Sequence, residues 1–132
     1  MLHDIQEDLG CISDATVAEL ASVLNLSRAD VHGVVTFYHD FRSTPGGRTR
    51  LQICRAEACQ AMGSEALVAH AEQRLAIRCG DTTADGAFTL SGVYCLGNCA
   101  LAPAAMLQGE LLGRLDTARL EQIIHTGSEA QP

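Results

Sequence analysis

The sequence predicts an α/β protein in which an N-terminal helical arm precedes a small sandwich of helices packed on a short mixed sheet. Three observations predict it. Apolar residues in the first third recur at helical spacing. A dense loop signal, Ser43-Thr44-Pro45-Gly46-Gly47, then breaks the pattern. Beyond it, the segments read in the order strand, helix, strand, strand, strand, helix. The loop divides the chain into an arm over 1–43 and an α/β domain over 44–132.

The elements follow in order. A short helical turn around Ile5 to Leu9 ends at Gly10, a residue suited to a left-handed cap. Ser13 can cap a helix in which Val17, Leu20, Ala21 and Leu24 share one face. Ser27 with Asp30 forms a capping box that opens a helix with Val31, Val34, Val35 and Tyr38 as its apolar face. Thr49 to Cys54 alternates Leu51 and Ile53 with polar residues, as a strand does. Ser64 to Ile77 is helical, with Leu67, Ala71 and Leu75 aligned. Cys79 to Gly86 is a turn-rich connection, and Ala87 to Tyr94 a strand. Ala104 to Gln108 and Leu111 to Leu115 form a hairpin with Gly109-Glu110 at its turn. Asp116 can cap a last helix carrying Leu120, Ile123 and Ile124, and the polar tail from Gly127 to Pro132 is expected to fray.

Composition narrows the function. Hydrophobic residues make up 47% of the 132, enough for a packed core, and the lack of Trp makes that core mainly aliphatic. The formal net charge is −7, with nine Lys and Arg, so no basic face is available to displace counterions from nucleic acid or to hold an anionic membrane. No apolar run approaches the ~20 residues that a membrane span needs. The N-terminus has no basic and apolar leader, which points to the cytosol. Thiols there stay reduced, and clustered cysteines more often bind metal or carry redox function than form disulfides.

Four cysteines stand out. Cys54 and Cys59 form a C-x4-C pair, and Cys95 and Cys99 a C-x3-C pair. Each pair follows a predicted strand end, and such ends lie along one sheet edge, so the two loops can converge. A [2Fe–2S] cluster needs four thiolates, two per iron, and the wide spacing suits two irons better than one ion. Gly63, Gly97 and Asn98 would let backbone N–H groups approach the sulfurs. Arg55, beside a ligand, could offset cluster charge. Structural zinc also takes four cysteines and stays open as a zinc-stapled interaction module. A disulfide scaffold fits poorly without a leader, a thiol–disulfide enzyme wants a C-x-x-C, and none of the five histidines lies in a cysteine loop, as a Rieske centre would need. Cys11 and Cys79 read as structural. His32 and His39, two turns apart, would share a helix face.

The residues also resemble a known family. Cys54-x4-Cys59, then Gly63-Ser64-Glu65, then Thr82-Thr83-Ala84-Asp85-Gly86-Ala87-Phe88-Thr89-Leu90, then Cys95-Leu96-Gly97-Asn98-Cys99 and Ala102-Pro103 resemble the thioredoxin-like [2Fe–2S] ferredoxins. That family includes the 24-kDa-type subunit of complex I and related subunits of NAD-linked hydrogenases and formate dehydrogenases. Val34-Val35-Thr36-Phe37-Tyr38 is similar to the family's Ala-Thr-Phe-Tyr stretch. Within the family, Leu2 to Gln6 and Val31 to Phe41 look most like the gamma-type subunit of NAD-dependent formate dehydrogenase.

The resemblance implies a thioredoxin-like [2Fe–2S] ferredoxin domain over 44–132, with one cluster on Cys54, Cys59, Cys95 and Cys99. It implies a partner subunit that binds FMN, NAD and a [4Fe–4S] cluster, and a molybdenum-containing subunit that oxidises formate. Complex I and hydrogenase remain the alternative hosts. The sequence offers no Ser-His-Asp set, no paired acid/base carboxylates and no G-x-G-x-x-G loop, consistent with an electron carrier and no catalytic residue on this chain. Family members commonly carry a further helical stretch ahead of the segment that starts here at Leu2. A stand-alone ferredoxin is the competing reading, and the arm's apolar stripes count against it.

Overall fold

Two serines start the helices of the first region. Ser13 Oγ accepts from the Thr16 N–H at 3.2 Å and begins α2, Asp14–Leu24. Ser27 and Asp30 exchange side-chain and backbone bonds in a capping box that begins α3, Arg28–Phe37. Ahead of both, α1 spans Leu2–Leu9 and stops at Gly10, whose φ of 79° continues no helix. The computed structural model describes residues 1–129 and divides into two compact units, Met1–Gly46 and the residues from Gly47 on.

The first unit has its own core of Ile12, Val17, Ala21, Val31 and Val35, with Leu2, Leu20 and Phe41 against it. The buried Gln6 side chain fastens the end of the unit to α1. Its Nε2 donates to Asp40 O at 2.8 Å, and its Oε1 accepts from the Arg42 N–H at 2.7 Å. The apolar face expected on α3 is only half realised, because Val34 and Tyr38 are exposed while Val31 and Val35 are buried. α3 also ends at Phe37, so His39 lies past the helix and does not share a face with His32.

In the second unit, β1 (Thr49–Cys54) is central in a four-stranded sheet of order β2-β1-β3-β4. β2 (Phe88–Val93) pairs parallel to it, with Cys54 opposite Val93. β3 (Ala105–Leu107) and β4 (Glu110–Leu112) pair antiparallel, so the sheet is mixed as expected. Two helices precede β2: the short α4, Glu57–Ala61, which periodicity could not reveal, and α5, Ser64–Leu75. α5 buries Leu67, Val68 and Ala71 in one cluster with Leu51, Ile53, Leu90 and Ala105. α6, Thr117–Glu129, adds Leu120 and Ile124 to that cluster and starts where Asp116 Oδ1 accepts from the Arg119 N–H at 2.7 Å.

Two expectations shift. The hairpin turns at Gln108-Gly109, with φ of 51° and 84°, and Glu110 already pairs with Leu107. A two-residue turn needs positive φ at both central positions, and Gly109 meets that need as the second of them, not the first. The expected frayed tail is helical as far as Glu129. Gly127 explains this, because a Cβ there would stand within 3.0 Å of three Phe88 ring atoms, so only glycine lets α6 lie against that ring. The remainder of the tail, 130–132, lies outside the described residues. Among the described residues no helix is long and apolar enough to cross a membrane.

Candidate iron–sulfur centre

β1 and β2 are parallel neighbours joined through α5, so they end at the same sheet edge. That edge is where both cysteine loops begin. Cys54 is the last residue of β1, and Cys95 comes two residues after β2 ends. Cys59 is carried back to the edge by α4, and Cys99 opens a single 3-10 turn, Cys99–Leu101. The Cys54 N–H donates to Ala104 O at 2.9 Å and the Arg55 N–H to Val93 O at 2.7 Å, which ties the first loop to the residues around the second.

The thiols form two unlike pairs. Cys54 and Cys59 are each only 1% exposed and pack with Ala104, Val93, Leu96 and Ala102. Cys95 and Cys99 lie at the surface, their sulfurs 4.0 Å apart. Burial pushes the Cys54 thiol up, but N–H groups of Ala56, Cys95 and Leu96 and the Cys59 thiol outweigh it, and the net shift is downward. Burial and the neighbouring Cys54 push Cys59 upward against the opposing Ala104 N–H. Cys99 is pushed up chiefly by Cys95, with a contribution from Cys54 across the pairs. The first-loop and second-loop cysteines thus sense one another electrostatically. Two consecutive N–H groups, of Cys95 and Leu96, serve Cys54, and this requires a bent second loop: Cys95 has φ of 88° and Gly97 of 73°. The Gly97 N–H in turn points at Cys95 Sγ, 3.4 Å away.

Arg55 is engaged elsewhere than expected. Its guanidinium donates twice to the Glu65 carboxylate at 2.8 Å, so a carboxylate already balances its charge. Its aliphatic part crosses Gly92, where a Cβ would be 2.6 Å from Arg55 Cδ. Cys11 and Cys79 are both partly buried and free, and Cys79 lies near Gly92 and Arg55. Sequence reasoning did not identify Ala104, whose N–H and carbonyl serve the inner loop, or the burial of Ser64; both depend on how distant segments pack.

A [2Fe–2S] cluster takes two thiolates at each of two irons. The donor set here fits that demand. It consists of two separate pairs, with backbone N–H groups directed at the sulfurs. Ser64 Oγ, on the first residue of α5, is buried without a partner. Among the described residues no group of three or more His, Cys, Asp or Glu is already drawn in around one point as a metal ion would hold it; the thiols stand as two pairs.

Comparison with known proteins identifies relatives of this chain. The chain is 41% identical over 126 residues to a subunit of the NADH-quinone oxidoreductase of Rhizobium meliloti, covering 96% of this chain and 75% of that protein. It is 32% identical over 123 residues to a subunit of the NADH-quinone oxidoreductase of Escherichia coli, covering 93% and 74%. Part of an NAD+-reducing [NiFe]-hydrogenase superposes with a TM-score of 0.86 at 27% identity, over 99% of this chain and 23% of that one. The thioredoxin-like [2Fe–2S] ferredoxin from Aquifex aeolicus shares the fold alone, with a TM-score of 0.52 at 11% identity over 66% of this chain and 86% of that one. The model of one family, described as thioredoxin-like [2Fe–2S] ferredoxin, matches residues 1–128. The chain therefore belongs to the thioredoxin-like [2Fe–2S] ferredoxin family, whose cofactor is a [2Fe–2S] cluster.

Proposed function

We propose that this chain is a one-electron carrier subunit of an NAD-linked oxidoreductase, with Cys54, Cys59, Cys95 and Cys99 as the ligands of its [2Fe–2S] cluster. The observation that carries the reading is the pairing of two buried and two surface cysteines at one sheet edge in a chain of this family. When bound, such a cluster accepts and returns single electrons. The inner thiols anchor it, the N–H groups of Ala56, Cys95, Leu96 and Ala104 neutralise part of the charge on their sulfurs, and the outer thiols leave one side within reach of a partner.

The partner in this reading is a flavin subunit that binds FMN, NAD and a [4Fe–4S] cluster. Hydride transfer to or from NAD moves two electrons together while a cluster moves one, so a flavin on the partner would interconvert the two, and this chain would supply or take single electrons in the cytosol. Relatives named as NADH-quinone oxidoreductase subunits and the similarity to an NAD+-reducing hydrogenase support that class of assembly. The finer proposal is formate dehydrogenase, with a molybdenum-containing subunit as the source of electrons; Leu2 to Gln6 and Val31 to Phe41 are the stretches that favour it.

The test is purification of the tagged chain from native cells with its partners. About two irons and two sulfides per chain are expected, with an electron paramagnetic resonance signal after reduction. Formate-dependent NAD reduction by the isolated assembly is expected for the finer proposal. Hydrogen-dependent NAD reduction, or NADH-dependent quinone reduction, would move the chain to the sister complexes. A colourless protein loaded with zinc would sink the reading.

A further inference from the structure

Ser64 is the first residue of α5 and is fully buried, at 0% exposure. Its hydroxyl has no hydrogen-bond partner among the described residues. Buried hydroxyls are almost always paired, and leaving one unpaired is costly, so an orphan of this kind calls for an acceptor.

The position of Ser64 narrows the choice. It shares the inward face of α5 with Leu67, Val68 and Ala71, which belong to one cluster with Leu51 and Ile53 of β1. The next residue, Glu65, binds Arg55, the neighbour of Cys54. Cys59 lies one short step earlier in the chain, where the Met62 and Gly63 N–H groups bond Cys59 O and Gln60 O. The hydroxyl is thus held at the edge where the inner thiols lie.

The start of α5 adds a second argument. A helix that joins two parallel strands runs against them, so the N-terminus of α5 lies at the edge where β1 ends. Its cap is Gly63, which offers no side-chain oxygen to the free N–H groups of the first turn. A twelve-residue helix therefore presents its positive end, and a hydroxyl without an acceptor, toward the same buried place. That combination suits an anion. A [2Fe–2S] centre with four thiolates is one, and it becomes more negative on reduction.

Resting on the reading that the four cysteines hold that cluster, we propose that the Ser64 hydroxyl, at the start of α5, donates a hydrogen bond to a sulfide of the cluster, since no cysteine sulfur stands within its reach, and makes the cluster easier to reduce. Ser64 is not a ligand. A donor to sulfur stabilises the more negative state, so its removal lowers the potential.

The experiment compares wild type, Ser64→Ala and Ser64→Gly as cluster-loaded proteins. Iron and sulfide stay at about two each per chain. In a redox titration followed by electron paramagnetic resonance, the ratio of reduced to oxidised cluster at a fixed poise falls about tenfold in both variants, a shift of about 59 mV for one electron. Pulsed resonance in D2O shows an exchangeable deuteron coupled to the reduced wild-type cluster and absent in both variants. Fully loaded variants with unchanged potential and unchanged deuteron coupling would overturn the proposal, whether or not their thermal stability rose. Wild-type protein that takes up no [2Fe–2S] would overturn the cysteine reading with it, and the iron assay on wild type separates the two failures.

Discussion

The inner and outer cysteine pairs sit in one site but in different parts of the protein's architecture. Cys54 and Cys59 belong to a buried cluster with Ala104, and their sulfurs receive most of the N–H groups at the site. Cys95 and Cys99 are exposed, on a loop whose backbone is bent into an unfavourable region at Cys95, φ 88°. The inner pair therefore contributes to folding before any cluster arrives. The outer pair contributes nothing comparable to the core, and on the proposed reading its loop is shaped to hold the cluster. Anchoring and access are divided between the two loops, which is what a carrier needs if electrons must leave through one side only.

The largest expected effect comes from breaking the inner pair. Cys54→Ser and Cys59→Ser should each lose or badly perturb the cluster and also destabilise the cluster-free protein by about 1–3 kcal/mol, because a hydroxyl would be buried where spacing suits sulfur. Cys95→Ser and Cys99→Ser should perturb the cluster as well, yet leave the cluster-free protein within about 0.5 kcal/mol of wild type. Cys11→Ser and Cys79→Ser should keep the cluster. Iron and sulfide analysis, with denaturant unfolding of the cluster-free chain, reads both halves. A normal spectrum for Cys95→Ser would overturn the ligand assignment, and equal destabilisation by all four serines would overturn the division between the pairs.

Next in size is a change behind the outer loop. A Cβ at Gly113 would lie 2.7 Å from Leu101 Cβ and 3.1 Å from Asn98 Nδ2, against the turn that carries Cys99. Gly113→Ala should cost about 1–3 kcal/mol through overpacking and should alter the resonance line shape of the cluster without removing it. An unchanged line shape would mean that the outer loop is stiffer than its exposure implies. Cys95→Gly should act in the opposite sense on stability. It removes a ligand, so the cluster is lost, but it relieves a left-handed residue and should stabilise the cluster-free chain by about 1 kcal/mol. Thermal unfolding beside Cys95→Ser isolates that strain, since the serine keeps the Cβ.

Much of this was legible in the sequence, for local reasons. Ser13 and Ser27 announce helix starts because a hydroxyl beside an apolar stripe has a backbone N–H within reach. Leu51 and Ile53 announce β1 because alternation places both on one face. The four cysteines follow strand ends, and the parallel pairing of β1 and β2 brings those ends together. What was not legible depends on packing between distant segments. Val34 and Tyr38 have the spacing of a buried face and are exposed, because the unit's small core is filled by Val31, Val35 and Ile12. α4 is five residues long, too short for any period to show. Ser64 reads as an ordinary helix-start serine; only the fold reveals that Gly63 takes the cap position and the hydroxyl turns inward.

The smallest expected effect tests whether the inner loop is braced from outside by charge. Arg55 holds the Glu65 carboxyl below its ordinary value of 4.5 through paired hydrogen bonds. A carboxyl whose folded pKa is depressed adds stability above its unfolded value and loses it as pH falls through the folded one. The stability difference between wild type and Glu65→Gln should therefore be constant near neutral pH and close progressively below about 4.5. Glu65 is exposed and Arg55 half-buried, so the difference should be small and shrink further with salt. The redox consequence has a definite sign. Glu65→Gln leaves the Arg55 charge uncompensated beside Cys54, so the cluster should become slightly easier to reduce, opposite to Ser64→Ala. Redox titrations of the two variants side by side check this. A downward shift in Glu65→Gln would mean that the ion pair acts by holding the first loop in shape, and not through the charge on Arg55.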